Sequence, residues 1–471
     1  MLSLYKLSCV NNYVEALMTV MKEKKSSSVL TNKQKIWMKF CLSMIILTNS
    51  INWDKFERFS LKTYKAKALG FIFHHAKINW EMLFISGITL LLKTYKINKG
   101  HLIVDDTDRP RSKIIKKIAF VFKSFNKKTG GYFNCQNLVF LVLVTDKITL
   151  PVGFKFYTPC PKISAWTKKD KEIRKLRKKD KSIVRPIKPE RSLENPKRIE
   201  LSSQLISNFK KNFKEINIIS CSFDAAYGFN SHLRAVETIL PKSLIVSEFA
   251  CNTKVTDKRR TAAVKNYFKS IPIQKTKLKI RGGIIKNVEI KHARLYVESH
   301  KRILNIIALR YEGEENFRYI ITPNLSWRAI DVVQLFTFRW LVEVFFYDWK
   351  CYEGFGQAAI QQSYDGGLCG VLLSLLVDQC LLFHPEQIRR ISSQLLTCTV
   401  GSLREKLVIE FHLEQIKFLL LSENPQEKLK AYSANMDICF AYRDSTKHMS
   451  GQEFSDLKPC PTLLKKFGFC A

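Results

Sequence analysis

The chain is short of acid, has no patterned cysteine and contains no long apolar run. Against 78 Lys and Arg it carries only 41 Asp and Glu, a formal net charge of +37 over 471 residues. A soluble protein this basic usually meets a polyanion, with nucleic acid the first expectation and an anionic membrane the second. The 13 cysteines are scattered and odd in number, none forms a C-x-x-C pair, and no His/Cys group has zinc spacing. Reduced thiols in a cytoplasmic protein are the simplest expectation. The N-terminus lacks a basic stretch followed by a continuous apolar core, so no signal peptide is expected. The run Val371 to Val377 is too short to span a bilayer and Asp378 ends it. What is present is a chain that is 46% hydrophobic and 12% aromatic, enough for a sizeable core and two or three domains.

Helical patterning dominates residues 1–97, with apolar stretches at Gln34 to Asn49 and Trp80 to Lys93 and lysines interleaved. A small bundle with one basic face can recognise a DNA end. It can equally be a dimerisation or packing domain. His101 to Asp106 (HLIVDD) reads as a short buried strand with Asp105, Asp106 and Asp108 at its C-terminal end. Leu138 to Val144 and Ile148 to Tyr157 form a hairpin whose second strand holds Pro151 and Gly153, which suits an edge or a bulge. Ile216 to Phe223 is the next strand and runs into Asp224; Leu244 to Ser247 is a further one. The order strand, hairpin, helix, strand, helix, strand implies a mixed sheet with helices on both faces.

Lys168 to Arg198 is the most basic stretch, and its prolines suggest an extended, exposed segment. It is either a solvated charged face or an arm that tracks phosphates. Residues 251–317 read as a β-rich, basic insertion. Phe317 to Thr322 is strand-like, and Ser326 can cap the helix that follows. After Gly366-Gly367 the chain is helical again.

Phe336 to Lys350 (FTFRWLVEVFFYDWK) reads as one helix. Arg339, Glu343 and Lys350 are then spaced 4 and 7 and share a face. Glu343 lies among apolar neighbours, where a carboxylate needs a partner: Arg339 or a metal ion. Asp105 and Asp224 each end an apolar strand. If those strands are parallel neighbours, both carboxylates stand where open α/β sheets bind ligands. Either Asp taken alone is equally a turn residue. Three converging carboxylates are tolerable when cations bind, and oxygen-only ligands suit Mg2+ or Mn2+.

The Arg339-x3-Glu343-x6-Lys350 spacing resembles the Tyr-x2-Arg-x3-Glu-x6-Lys signature of DDE transposases from bacterial insertion sequences, the IS-four family. Asp105-Asp106-Thr107 resembles the Asp-x-Thr around that family's first catalytic aspartate, and Asp224 in Ser222-Phe223-Asp224-Ala225-Ala226-Tyr227 resembles the second. The Asp-x-Thr order favours Asp105, with Asp106 the alternative. The resemblance covers roughly residues 100 to 365.

It implies an α/β fold: a ribonuclease H-like mixed sheet flanked by helices (residues 98–250 and 318–366), a β-rich insertion (251–317), and helical N-terminal (1–97, DNA-binding) and C-terminal (367–471) regions. It also implies cut-and-paste DNA transposition. Water nicks the element's end, the freed 3′-hydroxyl attacks the opposite strand to make a hairpin, and after opening it attacks target DNA. Carried over by position, Asp105, Asp224 and Glu343 are the catalytic metal ligands for Mg2+, with Mn2+ able to substitute. Arg339, Lys350, Phe336 and Thr107 fall at DNA-binding positions. Phe336 departs from the family's Tyr and lacks its hydroxyl. The implied partners are double-stranded DNA, as transposon ends and target, and a second copy of the chain on the DNA, with no membrane role. The implied location is the bacterial cytoplasm, at the nucleoid. A decayed protein that binds DNA ends without cutting, or a related ribonuclease H-like nuclease, are the alternatives.

Overall fold

The apolar runs in the middle of the chain build one sheet. The structure, a computed structural model, describes residues 7–24, 29–60, 64–111, 118–126, 130–257, 260–280, 283–357 and 363–439. The first strands are β1 (Lys99–Arg111), β2 (Phe122–Asn126), β3 (Gly131–Val144), β4 (Thr149–Tyr157), β5 (Asn217–Phe223) and β6 (Leu244–Phe249). They are followed by β7 (Lys254–Asp257), β8 (Arg260–Ala263), β9 (Gln274–Lys279), β10 (Ile285–Val297), β11 (Arg302–Tyr311) and β12 (Arg318–Thr322). Among the described residues these strands form one sheet of 12, in the order β2-β3-β1-β5-β6-β12-β11-β10-β7-β8, with β4 also on β3 and β9 also on β10. β5 pairs parallel with β1 and with β6, and the β1–β3 and β3–β4 pairs are antiparallel. The strands of segment 251–317 therefore extend the main sheet beyond β12.

β3 is buried on both faces from Cys135 to Val144, which is why its sequence is a continuous apolar run. Beside it, β4 lies at an edge, and its register slips opposite Leu141/Val142, between Gly153 and Pro151.

The helices are α1 (Ser8–Lys24), α2 (Asn32–Thr48), α3 (Trp53–Phe59), α4 (Ala66–His75), α5 (Trp80–Thr94), α6 (Pro161–Leu176), α7 (Arg198–Asn212) and α8 (Asn230–Ile239). Beyond them come α9 (Val264–Tyr267), α10 (Ala329–Thr337), α11 (Trp340–Tyr352), α12 (Tyr364–Leu382), α13 (Pro385–Ser392), α14 (Val400–Leu420) and α15 (Pro425–Cys439). α7 packs on β3 and β4 from one side, and α11 packs on β1 and β4 from the other. Mixed α/β architecture with helices flanking the sheet is thus observed.

The two helical ends meet in a single apolar cluster. Val10, Tyr13 and Leu17 of α1 and Leu42 and Ile45 of α2 are buried with Leu373, Leu376 and Val377 of α12 and Leu407 and Phe411 of α14. The Tyr13 hydroxyl donates to Gln379 Oε1 across this cluster at 2.9 Å. Among the described residues α12 alone is long and apolar enough to cross a membrane, and 72% of it is buried inside the protein. Residues 440–471 of the C-terminal region lie outside the described residues.

Four local expectations need correction. β1 does not stop at Asp106: it continues along β3 to Arg111, so Asp105 lies within the strand and not at its end. Lys168 to Leu176 is helical, as the end of α6, where an extended segment is expected; the stretch that follows to Lys197 holds no helix or strand. Ser326 is not the cap of the helix after β12. Asn324 Oδ1 accepts from the backbone N–H groups of Ser326 and Trp327, and α10 begins at Ala329. Phe336 to Lys350 is not one helix. α10 ends at Thr337 and α11 starts at Trp340, joined through i→i−3 bonds from Phe338 to Leu335 and from Arg339 to Phe336.

Candidate active site

Strand alternation sorts the acidic cluster of β1. Asp105, Thr107 and Arg109 are buried, and they point to the face covered by α11. Asp106 and Asp108 point to the opposite face. There Asn137 Nδ2 donates to both, at 2.7 and 2.8 Å. The Tyr227 hydroxyl donates to Asp106 at 3.1 Å, and Arg198 stands 3.5 Å from it. Asp106 is thus held in a network of its own, and Asp105 is the carboxylate that faces Glu343.

β1 and β5 run parallel and in register, with Val104 opposite Phe223. Asp105, the next residue on β1, and Asp224, the residue that follows β5, are therefore neighbours where β5 ends, at the ligand-binding edge of open α/β sheets, while β1 itself runs on along β3 to Arg111. Phe223 packs on His232 and Tyr227, on the α8 side. Continued alternation puts Asp224 on the Asp105 side. Asp224 is extended (φ −69°, ψ 164°) and leads a 3₁₀ turn, Ala225–Tyr227. Its carbonyl accepts from the Tyr227 N–H and the Ser247 hydroxyl, which fixes the turn.

The α10–α11 junction brings in the remaining groups. Arg339 heads α11, and its Nη1 lies 2.9 Å from Asp105 Oδ2 and 3.8 Å from Glu343 Oε1. Lys350, three turns on, donates from Nζ to the Thr107 hydroxyl and to the Asp108 carbonyl at 3.0 Å. A core of rings sets this registry: Phe345, Phe346 and Trp349 of α11 all pack on Phe140 of β3, the residue paired with Asp105. Arg109 pins the loop after α11, over the Phe355 ring at 4.3 Å and with Nη2 donating to the Gly356 carbonyl.

Burial pushes the Asp105 carboxyl up to about 7, against the downward pull of Arg339 and of the Asp106 N–H that donates to it. Burial likewise lowers Lys350, with Asp108 and Glu343 pulling the other way. Glu343 is half-exposed, its side chain 47% accessible.

Asp105, Arg339, Glu343, Thr107 and Lys350 are brought together, with Asp224 one strand away. Two residues expected to touch DNA stand differently. Thr107 is buried and accepts from Lys350, and Phe336 is buried in the apolar cluster under α10, its ring 5.8 Å from the Arg339 guanidinium. Both support the charged groups rather than present themselves. Among the described residues no three Asp, Glu, His or Cys side chains are grouped to hold a metal ion. The Arg339 guanidinium takes the cationic place between Asp105 and Glu343. The roles of Asn137, Arg198 and Tyr227 beside Asp106 are not legible in the sequence. Their only sequence signal is the surplus acid, Asp106, which needs partners of its own.

Arg339→Ala should show how far Asp105 depends on its cation. The folded-state value of Asp105 is raised from 3.8 to about 7. Its favourable contribution to stability is therefore full below the unfolded value and is lost as pH rises through about 7. Removing Arg339 raises the carboxyl further. The variant is expected to be less stable by about 1–3 kcal/mol at pH 8 and nearly equal to wild type at pH 5, measured by denaturant unfolding. Equal loss at both pH values would mean that Arg339 acts through packing.

No protein-family model and no curated protein matches this chain.

Proposed function

We propose that the protein is a DDE-type DNA transposase with a ribonuclease H-like catalytic core, acting as a dimer on paired DNA ends. One observation carries the reading: β1 and β5 are parallel and registered so that Asp105 lies beside the end of β5, where Asp224 follows, and α11 returns Glu343 to Asp105 through Arg339. The strand order β4-β3-β1-β5-β6, with helices on both faces, supports the ribonuclease H-like assignment. The net charge of +37 supports a DNA partner.

The donor set is oxygen only, which fits Mg2+ with Mn2+ as a substitute. Asp105, Asp224 and Glu343 would hold the metal, in place of the present Arg339 contact. When bound, it supplies positive charge to the attacking and leaving oxygens of an in-line phosphoryl displacement. The chain's own groups do the rest. The Arg339 fork, released from Asp105, suits two oxygens of one phosphate. Lys350 steadies the end of β1 through Thr107 and Asp108. The apolar wall of Val342, Phe345 and Phe346 keeps water from the back of the site.

A protein that binds DNA ends without cutting is the second reading. It is favoured by the Arg339–Asp105 pair, which neutralises the first carboxylate. Incubating the protein with Mg2+ and duplex carrying the sequences that flank its own gene separates the two. Nicked and hairpin ends, followed by joining to a second duplex, are the expected products. Binding with no cutting would overturn the transposase, and cutting with no joined products would point to a nuclease.

A further inference from the structure

We infer that residues 161–198 are a preformed finger that grips the phosphate backbone of duplex DNA, rooted behind the strand that carries the carboxylate site. This placement rests on the reading of that site as a DNA-cutting centre. The segment holds fifteen Lys and Arg against five Asp and Glu. Such a charge density opposes folding, and no core offsets it: in α6 the one buried residue is Asp170, an acid. Ile163, Trp166 and Ile173 share the face of Asp170 but are only half-buried, so the helix needs another source of order.

That source is a polar clamp. The chain returns along α6, and Arg185 forks onto Asp170 with bonds of 2.8 and 3.0 Å. Arg174 reaches the same carboxylate at 2.8 Å. One turn before, Trp166 Nε1 donates to the Pro186 carbonyl at 2.9 Å, and Lys188 lies 5.8 Å from its ring. Trp166 and Asp170 thus define the inner face of α6. At 100° per residue, Lys168, Lys171 and Lys175 fall on the opposite face, and all three are exposed.

The finger is rooted behind the site, on the face of β1 opposite to Asp105 and Glu343. Tyr157, where β4 ends, pairs with Asn137, and Asn195 Nδ2 closes the base on the Thr158 hydroxyl at 2.9 Å. Arg198, where α7 begins, donates to Asn137 Oδ1 at 3.1 Å and stands beside Asp106. Both feet therefore meet Asn137, the partner of Asp108 on β1. An anionic membrane would also attract these lysines, but a surface-lying helix needs an apolar face, and the outer face of α6 is lysine.

The test uses the full chain and a random-sequence duplex, with affinity read by fluorescence anisotropy over a range of salt concentrations. Each phosphate contact contributes about 0.9 to the slope of log K against log salt. The triple variant Lys168→Gln, Lys171→Gln, Lys175→Gln should lower that slope by about 2–3 and weaken every duplex alike. Its unfolding should be unchanged, because these side chains pack on nothing in the core. An unchanged slope would overturn the finger. So would loss of binding to phosphatidylserine vesicles with duplex binding intact. Asp170→Asn adds a net positive charge but removes the clamp. Weaker duplex binding supports a preformed finger, and stronger binding contradicts it. If the protein never cuts DNA yet the slope falls, the enzyme reading fails and the finger stands. If it cuts and the slope holds, only the finger fails.

Discussion

Glu343→Gln is expected to abolish metal-dependent DNA cutting while leaving duplex binding and folding nearly intact. The change keeps shape and removes one of three carboxylate charges from the proposed metal site. Loss of electrostatic stabilisation aimed at a developing charge commonly costs on the order of 10²–10³ in rate, and loss of a ligand should cost at least as much. Stability should move little, within about 0.5 kcal/mol. Glu343 is half-exposed, and its ion pair with Arg339 is 3.8 Å long. The pairing of a large catalytic loss with a small stability change separates this role from a structural one. Cutting at the wild-type rate would remove Glu343 from the site.

Trp349→Ala should give the largest loss of stability, about 3–5 kcal/mol in denaturant unfolding. Trp349 is fully buried and stacks on Phe355 with ring centroids 3.8 Å apart. It meets Phe140 edge-on at 5.0 Å, and its Nε1 donates to the Ser374 hydroxyl of α12 at 2.9 Å. It therefore ties α11 both to the strand beside Asp105 and to the helical cluster. Because Lys350 is the next residue, the grip on Thr107 and Asp108 should loosen as well. Trp349→Phe keeps most of the ring contacts and loses the Ser374 bond, so a smaller cost of about 1 kcal/mol is expected. Equal costs for both variants would mean that the indole nitrogen, not the packing, holds the helix.

Much of the site is legible in the sequence because two apolar runs stop at Asp. They announce β5 and the first half of β1, though not the polar continuation of β1 to Arg111, and the parallel register then aligns Asp105 with Asp224. The choice between Asp105 and Asp106 follows from alternation once the strand is known to continue to Arg111. The break between α10 and α11 left no trace, because the apolar pattern is unbroken there and neither Pro nor Gly marks it. The helix of α6 was equally hidden. Its apolar stripe of Ile163, Trp166 and Ile173 is sparse and interrupted by Asp170, and its order comes from Asp170 meeting Arg185, 15 residues away, a contact that no local pattern encodes. The meeting of α1 and α2 with α12 and α14 is likewise a long-range packing event, invisible to any window of sequence.

The most direct test of the central claim is iron-mediated cleavage of the polypeptide itself. Fe2+ takes the place of Mg2+. Added hydrogen peroxide is reduced at the bound iron to hydroxide and a hydroxyl radical that cuts the nearby backbone, and ascorbate returns Fe3+ to Fe2+. Duplex DNA is present so that Arg339 has a phosphate to take. If Asp105, Asp224 and Glu343 hold one metal centre, cuts should cluster around Asp105 in the middle of β1, at the end of β5 and in the first turns of α11. Excess Mg2+ should suppress all three together. Cuts confined to other parts of the chain, or none that Mg2+ suppresses, would contradict it.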